Sequence, residues 1–537
     1  DKKGSFFLVG AAINAFFYRT ASMAPVLPWA EQLQQLLTQH GDFPSVEIEA
    51  TVIASLQGLV FAAPHHLLLV DLEQRVGRLL QANIEPILKI SVGITFLWLF
   101  LWRGDFRKAG HIISELNPVV RQAHVPPMLL ILWKTAEGNL AWHTACHQLA
   151  SDKFSEGRDI SRQSGLPILD CMLWSCGAYS ALAAGDVETA HLCLNHIEPL
   201  IHPQCKMAVA EFHSLRSGVQ FLQGDVHAAC ATAKEALALH QEANVPYLTA
   251  AIRIGLAQTL MESGDLDSAR HHLSTVIEYA RTMKSHLLEH QALLLQAYSW
   301  IKSNHEFKAL GPLREGLHIA ADNDYLVLNP WWRPQVIARL FSLALQSGIE
   351  VAYVQSVIRR RNIKAESQEL EIWPWVIKIH TLGHFEILCN DIPLQSSIKT
   401  QHKPLDLLKC LCAYGGHAVN RNRLIDALWP DAEGDDGERA LRTTLHRLRK
   451  LLKQDESILL EGHHLSLNPG YIWVDCLAFD RIAHRPDITD RVSLQHALNR
   501  YRGNFLEGET SSWALACRSR LRNHHMSLSE RFGQLLE

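Results

Sequence analysis

DDGERALRTTLHRLRKLL, residues 435–452, is the stretch on which the reading of this chain turns. Leu441, Leu445, Leu448 and Leu452 recur at helical spacing and predict one face docked on a core. The opposite face carries Arg439, Thr443, His446 and Lys450, flanked by Arg442, Arg447 and Arg449. Asp435 and Glu438 stand three apart at the front, a capping-box pattern that marks a helix start. No acidic residue lies between Arg439 and Lys453, so Arg447, Arg449 and Lys450 have no i,i+4 carboxylate to neutralise them. A helix with one buried face and free cations on the other has the form that reads a DNA major groove. Acid at a helix start and base at its end also complement the helix dipole, so an ordinary solvated helix carries the same signature. The flanking sequence decides between them.

Upstream, Pro404 opens a helix from Leu405 to Tyr414 that stops at Gly415-Gly416. Asn420 caps a second helix, Arg421 to Trp429, ended by Pro430, and Asp431 to Gly434 form the loop into the third. Downstream, Ile458 to Leu460 and Leu465 to Leu467 flank Glu461-Gly462-His463-His464 as a hairpin, and Tyr471 to Val474 add a strand. Ahead of the helices, Val376, Ile377, Ile379 and Leu382, then Phe385, Ile387 and Leu388, read as short strands around Gly383. Strands, three helices and a hairpin make a winged helix with an N-terminal sheet.

This order closely resembles the OmpR/PhoB-type DNA-binding domain, in the version found in SARP-type bacterial regulators. Leu424 to Pro430, Leu445 to Leu451 and the hairpin carry the resemblance, over residues 376–476. It implies that Arg439, Arg442, Thr443, His446, Arg447, Arg449 and Lys450 meet bases and phosphates. It further implies that Lys399, His402, Lys403, Arg421, Arg423 and Trp429 lie along the DNA backbone, and that His463 and His464 form the wing tip. Trp429 fits a core plug equally well. His446 stands where relatives often have Arg, and His463-His464 replace the more usual wing Arg. Residues 477–537, with Ala497 to Gly508 and Trp513, look like the start of a bacterial transcriptional activator domain.

The region before the strands is helical and repeats. Gly104-Asp105, Gly185-Asp186, Gly224-Asp225 and Gly264-Asp265 are each followed by an alanine, at 109, 190, 229 and 269. The last three glycines fall in steps of 39 and 40, and the first gap is about twice that. A worn copy near residue 144 fills it, and Ser303-Asn304-His305 with Ala309 continues the register. Gly takes the left-handed position that ends one helix, Asp caps the next, and the alanine lets two helices approach closely. Each pair leaves an apolar face open, so neighbours stack into a solenoid. The pattern resembles tetratricopeptide-like repeats, in the longer form found in the sensor regions of MalT-like regulators. That resemblance implies a protein or small-molecule effector on the repeats. Trp98, Trp102, Trp133, Trp142, Trp174 and Trp300 lie on these helices, either filling helix contacts or lining a groove. Trp331-Trp332 marks a break near the solenoid's end.

The 537 residues carry a net charge of −4, which excludes a wholly basic nucleic-acid coat and confines any DNA surface to a local patch. Eleven cysteines without a repeated spacing do not read as a disulfide framework, and a reducing cytoplasm is the simpler assignment. Val92 to Trp102 is too short to span a bilayer. Phe6 to Tyr18 mimics a signal peptide, but Asn14 interrupts it and a buried helix in a fragment fits better. No GxxxxGK[ST], G-x-S-x-G, HExxH or C-x-x-C occurs. The phosphate-cradling ATP module that such regulators carry ahead of the solenoid is therefore either upstream of Asp1 or lacking. His65-His66, His271-His272 and His524-His525 have no matched ligands in sequence, so neither a metal, a cofactor nor an enzyme activity is expected.

The expected chain is mainly α. A helical segment (1–40) precedes an α–α superhelical solenoid of TPR-like repeats (41–362) and a linker (363–375). An α+β winged-helix domain (376–476) and a short C-terminal helical segment (477–537) follow. The expected function is a cytoplasmic, sequence-specific DNA-binding transcriptional regulator. Its partners would be double-stranded DNA and RNA polymerase, with no membrane. The alternative is a TPR-type scaffold whose winged helix does not read DNA.

Overall fold

The computed structural model describes residues 2–19, 22–241, 245–394, 402–432, 435–485 and 491–536. The chain divides into two compact units, Asp1–Tyr353 and Val354–Glu537.

The first unit is helical throughout its regular elements. Helices Lys2–Arg19 and Val26–His40 open it. Phe6, Val9, Ile13 and Phe17 of the first face inward, while Phe7 and Leu8 are exposed. Four short helices, Val46–Ala54, Gln57–Ala62, Leu67–Glu73 and Val76–Gln81, come next, and long helix pairs then follow one another, from Pro86–Arg103 and Phe106–Gln122 to His286–Lys302 and Glu306–Asp322. The repeat chemistry is visible at each joint. Gly104, Gly185, Gly224 and Gly264 all have positive φ, between 79° and 92°. In the two copies without glycine, Ala145 and Asn304 take the same left-handed backbone, at φ 61° and 60°. Asp186, Asp225 and Asp265 accept from the backbone N–H three residues on, at 3.0, 3.0 and 3.1 Å. Ala109, Ala190, Ala229, Ala269 and Ala309 are wholly buried, as close helix approach requires.

Pro86–Arg103 is the one helix among the described residues long and apolar enough to cross a bilayer. Its side chains from Val92 to Arg103 are packed inside the unit instead. The stretch around Trp331-Trp332 is more than a break. Tyr325 to Arg333 runs back across earlier repeats as an extended strap. Tyr325 Oη donates to the Gly104 carbonyl at 3.0 Å, Trp332 N donates to the Leu182 carbonyl at 2.8 Å, and Trp331 packs on Phe221 with centroids 5.1 Å apart. Gly104 must be glycine twice over: its φ is +88°, and a Cβ would lie 2.0 Å from Tyr325 Oη.

The second unit contains two sheets. Strands β1 (Ile377–His380), β2 (Glu386–Cys389) and β3 (Ile392–Pro393) form an antiparallel meander. The strand after the hairpin, β7 (Ile472–Val474), joins this sheet parallel to β1, giving the order β3-β2-β1-β7. The second sheet is β4 (Val419–Asn420), β5 (Ile458–Glu461) and β6 (His464–Leu467), in the order β4-β6-β5. Helix His402–Ala413 follows β3, and helices Arg421–Leu428 and Asp435–Leu452 lie between β4 and β5. Asn420 Oδ1 accepts from Asn422 N at 2.9 Å, the expected cap. The architecture is a solenoid-like helical-repeat unit followed by a small α+β winged helix.

Three boundaries differ from expectation, and the first is the end of the repeat unit, at Tyr353 rather than 362. Residues 363–375 are held to the second unit rather than free: Trp373 and Trp375 are buried, and Gln368 Nε2 donates to the Pro469 carbonyl at 2.9 Å. The final helices, Asp475–Ala483, Arg491–Arg500 and Ser512–Gln534, share one core with the winged helix through Phe479, Ala497, Trp513 and Leu521. Asp475 fastens the join. Its buried carboxylate accepts from Thr381 N (2.8 Å), Thr381 Oγ1 (2.6 Å) and Leu382 N (2.9 Å) at the end of β1. Cys410 and Cys412 leave helix His402–Ala413 on different faces and are both buried, Cys412 on the side of Cys517 in Ser512–Gln534 and Cys410 on the side of Tyr414 and Arg423.

Candidate nucleic-acid interface

The 435–452 helix presents the two faces its spacing predicts. Leu441, Leu445, Leu448 and Leu452 are buried in the winged-helix core. Gly437 lies against Ile425, where a Cβ would meet Ile425 Cγ2 at 2.6 Å, so the second and third helices cross closely. Arg439, Arg442, Thr443, His446, Arg447 and Lys450 are exposed on the other face.

These exposed cations are not equally free. Arg439 Nη1 pairs with Asp436 at 3.1 Å across a solvated surface, a contact of little strength. Thr443 Oγ1 turns back to the Arg439 carbonyl at 2.9 Å. No carboxylate among the described residues pairs with Arg442, Arg447 or Lys450. Arg449 behaves differently from its neighbours: it is half-buried, and its Nη2 donates to the Ile458 carbonyl on β5 at 2.5 Å. Its guanidinium ties the helix to the wing.

The flanking cations are also engaged. Arg421 pairs with Glu438 at 2.9 Å, so Glu438 is used between helices rather than solely at its own helix start. The Arg421 N–H donates to the His463 carbonyl, which joins the second helix to the wing tip. Arg423 stacks over Tyr414, 3.9 Å from the ring centroid. Lys403 donates to the Leu428 carbonyl at 2.8 Å and sits 5.7 Å from the Trp429 ring. Trp429 is half-buried against the domain core. His402 is exposed at the start of its helix, and Lys399 lies outside the described residues. His463 and His464 are exposed at the wing turn, where Gly462 has φ 57°.

The repeat unit holds a second site, a cavity of about 360 Å³ that opens to solvent beside the exposed Ile168 and Leu200. Three of the six expected tryptophans, Trp98, Trp102 and Trp142, line it. The others pack elsewhere: Trp133 is fully buried, Trp174 stacks under Arg158 at 4.0 Å, and Trp300 under Arg270 at 4.2 Å. Glu211 also lines the cavity. Its sequence signal was present, an acid at helical spacing from Met207, Ala208 and Leu215.

The fold corrects one further expectation. His524 does have neighbours with ligand atoms: Asp480, His484 and His524 place theirs within 4.8 Å of one another. His524 Nδ1 lies 2.7 Å from Asp480 Oδ1, and Arg520 approaches the same carboxylate at 3.6 Å. The cluster is thus already a solvated ion-pair group with its own cation.

Residues 395–463 match the family model described as transcriptional regulatory protein, C terminal. The match spans the three helices and ends in the hairpin turn. The chain is thus a helical-repeat protein carrying an OmpR/PhoB-type C-terminal regulatory domain. No curated protein matches the chain. Among solved structures, a Rap protein complexed with competence and sporulation factor is similar at 12% identity, over 59% of this chain and 91% of that one, with a TM-score of 0.41. NprR in complex with its cognate peptide NprX is similar at 10% identity, over 74% and 98%, with a TM-score of 0.41. The Rap conjugation gene regulator of the plasmid pLS20 in complex with the Phr* peptide is similar at 14% identity, over 66% and 94%, with a TM-score of 0.43.

Proposed function

We propose that this chain is a sequence-specific DNA-binding transcriptional regulator acting in the cytoplasm, with helix 435–452 in the major groove and the repeat unit as the receiver of an effector. The observation that carries the reading is the row Arg442, His446, Arg447 and Lys450: exposed, next to a buried apolar face, and without a carboxylate among the described residues. A scaffold has no use for an arc of uncompensated charge, whereas a phosphate backbone neutralises it. Arg447 and Arg442 have the reach and fork for guanine O6 and N7, and Lys450 acts as a point charge on phosphate. Arg449, Arg421 and Lys403 hold the helix, wing and second helix at fixed angles, so their contribution is positioning. RNA polymerase is the partner on which such a regulator acts.

The test is selection of duplexes from a random pool by the full chain, followed by titration at two salt concentrations. A recovered motif whose affinity falls steeply with salt supports the reading. Recovery of no motif, with affinity indifferent to salt, leaves the winged helix as a protein-contact module.

A further inference from the structure

The cavity of the repeat unit is walled by aromatic rings and carries one acid. Trp102 and Tyr247 stack there with centroids 4.5 Å apart and planes 5° from parallel. Trp142 and Tyr179 lie 5.8 Å apart at 7°. Glu211, on helix Lys206–Leu222, is partly accessible through the cavity it lines and otherwise enclosed by protein. No hydrogen bond or ion pair to its carboxylate is made by any described residue, and no Lys or Arg lines the cavity. Burial alone pushes the Glu211 carboxyl up to about 7. Its neighbours offer no compensation. Cys171, Cys176 and Tyr179 are held protonated by burial and, secondarily, by the Glu211 charge itself. His143, also on the wall, is pushed down to about 3 by burial and stays neutral.

A carboxylate in such a place is costly unless a cation meets it. Aromatic faces attract cations through their quadrupole and exclude water from the pair. An anionic ligand would be repelled, and the volume suits a small molecule. We propose that this cavity binds a small organic cation, a protonated amine or quaternary ammonium on an apolar body, with Glu211 as counter-ion and the aromatic wall, which includes the Trp102–Tyr247 and Trp142–Tyr179 pairs, around it. The assignment deepens the effector half of the proposed function and rests on that half alone.

The test uses the full chain at pH 8 and four probes, read by calorimetry and by tryptophan fluorescence. Phenethylamine and benzyltrimethylammonium are the cations, and propylbenzene and neopentylbenzene are their uncharged counterparts. The expected result is at least tenfold tighter binding of each cation than of its counterpart. Glu211→Gln, which keeps the side-chain shape, should abolish that difference and leave the uncharged probes unaffected. Equal binding of cation and counterpart by the wild-type chain overturns the cation assignment while leaving an effector cavity in place. Binding of none of the four overturns both. A Glu211→Gln chain that folds and still prefers cations overturns the role of Glu211. DNA binding, measured on the same preparations, stands or falls separately.

Discussion

Two neighbouring arginines on one helix should fail in different ways when truncated. Arg447 is exposed and free of any carboxylate among the described residues, so Arg447→Ala should leave stability within about 0.5 kcal/mol of wild type. Lost base contact should cost about 1–3 kcal/mol of specific affinity, or about 5- to 150-fold in Kd. Arg449 is half-buried and bonded to the Ile458 carbonyl. Arg449→Ala should therefore cost about 1–2 kcal/mol of stability in the second unit, by loss of that bond and of the packed stem. Its effect on DNA should reach all sequences through a loosened wing. Lys450→Ala supplies the third pattern: weaker binding to every duplex and a salt slope smaller by about 0.9. Fluorescence anisotropy of the full chain with a selected duplex and a scrambled one, at two salt concentrations, reads affinity and preference. Urea unfolding reads stability. The reasoning is refuted if Arg447→Ala keeps wild-type preference, or if Arg449→Ala loses preference at unchanged stability.

Acid should weaken the repeat unit. Burial pushes His143 down to about 3, and His240 and His290 to about 4; unfolded, each titrates near about 6.5. As pH falls below 6.5 the unfolded chain takes up protons that the native state refuses, so their contribution is present above that pH and is lost toward 4. Glu211 has the opposite sign: raised to about 7, it favours the native state at low pH, and that support is lost as pH rises through 7. Between about 4.5 and 6.5 the balance of three uptakes against one rises on acidification to at most about 2.7 kcal/mol per pH unit, so melting by circular dichroism should fall on acidification; a rise would contradict the assignment. Glycine at the repeat joints offers another contrast. Gly104→Ala meets both a left-handed backbone and the Tyr325 hydroxyl, for about 2–5 kcal/mol. Gly264→Ala has φ +92° with open space around it, for about 1–2 kcal/mol. Equal losses on denaturant unfolding would show that the strap does not press on Gly104.

What the sequence made legible was whatever local backbone chemistry encodes. Gly104, Gly185, Gly224 and Gly264 stand where left-handed residues are needed, the buried alanines follow them, and Leu441 to Leu452 keep their period. Ala145 and Asn304 show that the conformation persists where the residue signal has worn away. Tertiary partners were not legible. Nothing near Arg449 in sequence points to a carbonyl on β5, and nothing near Glu438 points to Arg421. The parallel pairing of β7 with β1 and the shared core of the final helices likewise come from residues far apart in the chain. The tryptophans illustrate the limit: identical on the page, they divide between cavity wall, core and cation stacks according to neighbours contributed by other repeats.

A stack of helix pairs ordinarily behaves as a one-dimensional chain, able to gain or shed units at its ends. The strap removes that freedom. Tyr325 reaches Gly104 across 221 residues, and Ser285 Oγ donates to the Trp102 carbonyl across 183. Such ring closures make folding wait on long-range encounters, which slows it relative to an open stack. They also fix the count: an inserted or deleted helix pair between residues 104 and 325 would carry the Tyr325 hydroxyl off its acceptor. This solenoid is a closed circuit, and its length is part of its structure.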